Sequence, residues 1–178
     1  AESLAVLLGA LTGRACLLAA LEGLRGTDPV LSALTLDTVE TRSGATYFLG
    51  DAVNRQLVDG DDSVWSILTD FLRSAGEPVP DVYLFMSHSV ATLGTPAFGI
   101  PRFVEGIGTP SMPLEYADVL WQRFAASLRR YAPDPQLWPV AYGYALREML
   151  RMVHGNFDLK VLLRLTMDSA LAVAKVPV

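Results

Sequence analysis

Apolar positions recur with a helical period along most of the chain. In "DDSVWSILTDFLRSAGEP" the residues Val64, Ile67, Leu68, Phe71, Leu72 and Ala75 share one face, and Ser66, Asp70, Arg73 and Ser74 lie elsewhere. That spacing predicts an amphipathic helix. Asp62 or Ser63 suits its N-cap, Gly76 its end, and Pro78 prevents its resumption. "PLEYADVLWQRFAASLRRY" predicts a second stripe through Ala117, Leu120, Trp121, Phe124, Leu128 and Tyr131. Pro113 fits the first helical position and Glu115 the positive helix start. Next, Asp134 caps a turn begun by Pro135, and a helix starts at Pro139. Its polar ridge is Arg147, Arg151 and His154, and Gly155 stops it.

The two ends of the chain are more apolar. Near the C-terminus, Lys160, Arg164 and Asp168 form a narrow ridge, surrounded by Leu159, Val161, Leu162, Leu163, Leu165 and Met167. A helix of that pattern is covered on most sides. The N-terminal run is uncharged over Ser3–Gly13 and Ala15–Leu21, divided by Arg14. A central arginine costs about 2.5–3.5 kcal/mol on membrane-insertion scales. No basic segment precedes the run, as a secretory signal needs. A buried helix is therefore expected, not a membrane span.

Elsewhere the pattern is mixed. "LTLDTVETRSGATYFLG" carries β-formers about Ser43–Gly44, so a short hairpin competes with a turn between helices. Phe48, Leu49, Ala52, Val53, Gln56 and Leu57 favour a helix ending at Gly60. In Asp81–Gly94 a capping Asp81 and a terminal Gly94 favour helix, against Val, Tyr and Phe content that favours a strand. With no second parallel strand in view, helix is the choice. The expected fold is mainly α: one domain of six or seven helices, residues 1–178, with a long apolar Pro/Gly-rich loop.

That loop, Gly94–Pro113, holds Phe98, Ile100, Phe103, Val104, Ile107 and Met112, with Arg102 and Glu105 as its only charges. Long loops in compact domains are packed by their own side chains or functional. The segment is expected to lie across helices and close a groove. Structural cover explains it; a lid over an apolar pocket is the functional version. The two Gly-Thr-Pro triplets within it are punctuation, without the spacing of a phosphate loop or a dinucleotide fingerprint.

Composition narrows the functions. Of 178 residues, 51% are hydrophobic and 19% charged, which excludes disorder and leaves apolar surface for a large core or a partner. A net charge of −5 argues against nucleic-acid binding, which rests on clustered Lys and Arg. The single cysteine, Cys16, lies in an apolar run that keeps a thiol inert, and its isolation fits a reducing, cytoplasmic compartment.

Candidate chemistry is sparse. In Ser87-His88-Ser89 neighbouring side chains diverge, so the tripeptide is no preformed nucleophile–base pair, and a histidine bonded to backbone explains His88. His154 suits the negative end of its helix. "DGDDS" lacks the Gly and Glu of a calcium loop, and helix capping accounts for its acids. Two histidines and one cysteine make no metal site, and no cofactor is implied. Gly9 and Gly13 permit close helix approach, within the chain or between subunits. Asp51, Asn54 and Arg55 form a polar group that a solvated helix face explains.

The leading expectation is a non-catalytic helical protein that self-associates, as a homo-oligomer, or binds a protein partner through apolar faces of its first and last helices. The alternative is a binder of a small apolar ligand, in a pocket of Tyr83, Phe85, His88, Phe98, Ile100 and Phe103. The third is a hydrolase-like enzyme using His88.

Overall fold

A computed structural model describes residues 1–178 except Ser43, Ile107 and Val178. The fold is built around its first helix. Helix α1 (Glu2–Gly23) is buried over most of its circumference, from Ala5 to Ala20, so its missing amphipathic pattern reflects neighbours on several sides. By length and composition alone it would cross a membrane, but 72% of its most apolar window is buried inside the protein. Helices α6 (Pro113–Tyr131), α7 (Trp138–Val153) and α8 (Leu159–Val173) pack against it.

The closest packing is with α8. A Cβ on Gly9 would lie 2.5 Å from the Thr166 carbonyl oxygen, and one on Gly13 would overlap the Ala170 backbone. The Gly9/Gly13 spacing therefore serves internal packing. In return α8 is buried continuously from Leu165 to Val173, as its narrow ridge predicts. Arg14 has a role here too. Its side chain, only 4% exposed, donates to the Val176 and Pro177 carbonyls and pairs with Asp118 of α6 at 3.3 Å. The charge that interrupts the apolar run ties the last residues of the chain to α1.

Among the described residues there are seven helices of seven or more residues, counting α2 (Pro29–Thr35), α4 (Val64–Ser74) and α5 (Tyr83–Ala91) with those above. A short α3 (Asp51–Asn54) widens into a π turn over Arg55–Asp59. The mainly-α expectation holds, and of the two alternatives left open around Ser43–Gly44 a two-strand hairpin is the one present. Ser63 caps α4, accepting from the Ser66 N–H while donating to the Val58 carbonyl. Gly76, at φ 74°, ends that helix with the Glu77 N–H returning to the Leu72 carbonyl. Asp134 accepts from the Gln136 N–H, and Glu115 from the Met112 N–H. Asp81–Gly94 is helical, with α5 occupying Tyr83–Ala91.

Three expectations shift. Phe48 and Leu49 belong to a strand, not to the following helix: β1 (Asp37–Glu40) pairs antiparallel with β2 (Thr46–Leu49), Val39 opposite Tyr47. Gly50, at φ 142°, separates β2 from α3, which starts at Asp51. The hairpin thus exists, although Ser43 of its turn lies outside the described residues. On α6, Phe124 and Tyr131 are 41% and 82% exposed, and Ala125 takes the buried position. The contact with α1 is narrow, and Trp121 fills it against Trp138 and Tyr142. Helix α7 begins at Trp138, one residue early, because a proline is tolerated anywhere in the first turn.

Candidate functional site

The apolar loop lies across α8 and the hairpin, and one ion pair fixes it there. Asp168 of α8, whose side chain is 1% exposed, accepts from the Arg102 backbone N–H at 3.0 Å, Nε at 2.9 Å and Nη2 at 2.7 Å. This is the two-pronged geometry that a guanidinium makes with a carboxylate. Phe98 meets the Tyr47 ring edge-on at 4.8 Å, and Phe103 packs on the main core. Of the loop's other apolar residues, Ile100 and Val104 stay exposed, and Ile107 lies outside the described residues. Cover over the core therefore accounts for part of the loop's apolar content.

Beside this pair opens a cleft of about 420 Å³, between the Pro78–Pro80 segment, α5 and α8. Pro78, Val79, Pro80, Leu84 and Phe85 form its apolar walls; Arg102, Lys160 and Arg164 bring positive charge, and no carboxylate lines it. Its volume falls in the range typical of small-molecule sites, roughly 300–1,000 Å³. The Arg102 guanidinium lies 5.6 Å from the Phe85 ring centroid, and Phe85 in turn packs against Trp65. Arg102 is committed to Asp168. Arg164 is not: among the described residues its buried Nε has no hydrogen-bond partner. Among the described residues only Arg102 of these three cations pairs with a carboxylate, on a chain whose net charge is −5.

Of the six residues expected to form a pocket, only Phe85 lines this cleft. Tyr83 is 71% and Ile100 46% exposed; Phe98 and Phe103 serve packing. His88 is half-buried on α5, and no side chain bonds to its imidazole among the described residues. Ser87 donates to the Leu84 carbonyl, while the Ser89 hydroxyl is buried without a partner. His154 lies 3.7 Å from Glu77 and edge-on to Phe71. Asp51 and Arg55 are exposed, as a solvated face requires. Burial pushes the Cys16 thiol well above its ordinary range. Among the described residues no three His, Cys, Asp or Glu side chains converge as metal ligands.

Sequence pattern alone places Lys160, Arg164 and Asp168 on a polar ridge and misses that Lys160 and Arg164 form one wall of a cleft, with Asp168 behind it holding Arg102. A usable signal was present. Of 14 basic residues only Lys160 and Lys175 are lysines, and both line cavities, one from the first turn of α8 and one from just beyond its end. Another cavity, of about 460 Å³ between the ends of α1 and α6, offers less: its Glu22 and Arg25 pair with each other at 3.0 Å.

Compared with models of known families, with curated proteins and with solved structures, the chain matches none.

Proposed function

We propose that this protein binds a small amphiphilic anion in the cleft between Pro78–Pro80, α5 and α8, its apolar part against Val79, Leu84 and Phe85 and its acid group beside Arg164 and Lys160. The observation that carries this reading is the Arg164 Nε, buried and without a partner beside an apolar wall. A buried donor left unsatisfied costs about 1–3 kcal/mol, more when charged, and an acidic ligand would remove that cost. A purely apolar ligand would leave it in place. The ligand class is therefore narrower than the sequence suggests.

Decanoate titrated into the protein, followed by calorimetry and native mass spectrometry, tests this. Decanoate should bind and decanol should bind at least tenfold more weakly. Arg164→Leu should weaken decanoate by roughly 10–100-fold, the worth of a hydrogen bond to a charged group. Equal binding of acid and alcohol, or none of either at millimolar concentration, overturns the proposal.

Assembly is the second reading, on a surface other than the two end helices, since α1 and α8 satisfy their apolar faces against each other. Val30, Leu31 and Leu34 share a face of α2 and are 69%, 53% and 75% exposed. A second copy seated there would give a concentration-dependent mass that Leu34→Glu abolishes.

A further inference from the structure

Lys175 follows the last turn of α8, and its side chain is 5% exposed. Its Nζ donates to the Leu171 carbonyl at 3.3 Å and, among the described residues, pairs with no carboxylate. A buried ammonium without a counter-charge is costly, and a lysine that serves only packing would be replaced at little cost by methionine or leucine. The backbone of the residue is also held in place. The Lys175 backbone carbonyl accepts from the Phe48 N–H at 2.7 Å, anchoring the residue to β2.

Lys175 borders a second cavity, of about 200 Å³, walled by Phe48, Val53, Met86 and Val90, with Asn54 as the one other polar residue in its lining. No other lining residue is titratable. Met86 and Val90 point away from the Leu84–Phe85 side of α5, so this cavity is separate from the cleft above and its assignment does not depend on that one. Desolvation brings the amine from 10.5 down to about 8. At pH 7.4 roughly a fifth of it is then free base, against roughly a thousandth for an exposed lysine. A neutral amine in an apolar pocket is the activated form for attack on a carbonyl carbon.

We propose that Lys175 captures a small apolar aldehyde in this cavity as an imine. The Nζ lone pair attacks the carbonyl carbon to give a carbinolamine. Loss of water then forms the C=N bond; the carbonyl oxygen leaves with the two protons first carried by the amine. No oxidant or reductant takes part. Asn54 supplies a hydrogen-bonding group in the lining for the oxygen as it passes from carbonyl to leaving water.

The test is reductive trapping of the folded protein with butanal and cyanoborohydride at pH 7.4, read by peptide mapping. Only Lys160, Lys175 and the α-amino group of Ala1 can react, so the modified residue is assigned directly. Lys175 should be alkylated at least tenfold faster than exposed Lys160, and the preference should vanish in denaturant. Met86→Trp, which narrows the cavity, should slow the reaction at Lys175 and leave Lys160 unchanged. A Lys175/Lys160 ratio below ten in the folded protein overturns the proposal, as does undiminished labelling in Met86→Trp.

Discussion

Removing the Arg102 side chain tests whether the loop is bonded to the fold or merely lies on it. Arg102→Ala deletes two charge-assisted hydrogen bonds, at 2.9 and 2.7 Å, to a carboxylate that is 1% exposed. Such bonds contribute about 1.5–3 kcal/mol each, so their sum is about 3–6 kcal/mol. Breaking one side of a buried ion pair costs about 3–5 kcal/mol by independent measure. The backbone N–H of residue 102 still reaches Asp168, which favours the lower end. For a chain of this size, about 3–4 kcal/mol corresponds to a fall in Tm of about 6–16 °C. Urea unfolding would show the same loss as a lower midpoint at unchanged slope. Arg102→Met combined with Asp168→Leu should recover most of the stability, because no charge is left buried. A loss below about 1 kcal/mol in Arg102→Ala would mean that the pair behaves like an exposed one. A double variant as unstable as the sum of its singles would refute the pairing itself.

Other consequences are more local. Gly13→Ala gains about 1 kcal/mol of helix propensity but drives a methyl into the Ala170 backbone, so a net loss of about 1–3 kcal/mol is expected by thermal melting. Gly23→Ala, whose nearest neighbour is the flexible Gln136 side chain, should be close to neutral. Ser63→Ala loses a cap and leaves the Val58 carbonyl without its donor; about 1–2 kcal/mol should go in urea unfolding. Lys175→Met should be more stable than the parent at pH 7, by on the order of 3 kcal/mol. The sign follows from proton binding: below about pH 8 both states are protonated and the folded one bears the burial cost. Between 8 and 10.5 the unfolded state binds more protons, so the parent gains stability as pH rises and the gap to the variant closes. Cys16 and Tyr142, both raised by burial, pull the other way above about pH 9, so only the difference between the two proteins at each pH is diagnostic.

Periodicity and capping made the helices legible. Ser63, Gly76, Asp134 and Glu115 act locally, on hydrogen-bond donors and acceptors within one turn, and a local pattern specifies them. Phe48 and Leu49 were misplaced because their apolar spacing fits a helix. What made them strand was pairing with β1 and with the Lys175 carbonyl, the latter far away in the chain. Phe124 and Tyr131 failed for a related reason: a stripe marks a face, whereas its buried width is set by the neighbour. The candidate site was least legible. Phe85, Arg102 and Arg164 come from a helix, a loop and another helix, and no spacing relates them.

Helix α8 shows how charge can locate what pattern does not. Each polar group on a helix covered on most sides needs a partner or a route to water. Asp168 has Arg102, and exposed Lys160 has solvent. Among the described residues the Arg164 Nε has neither, and Lys175 has one long bond to a carbonyl and no counter-charge. Arg164 lies in the first half of the helix and Lys175 just beyond its C-terminal end, and they border different cavities. Folding alone would favour an apolar side chain at each position. The excess positive charge inside an acidic protein therefore weighs toward ligands that bring an acid group to Arg164 and a carbonyl to Lys175. Arg164→Leu and Lys175→Met separate the two uses: each should abolish its own ligand's signal and leave the other's intact.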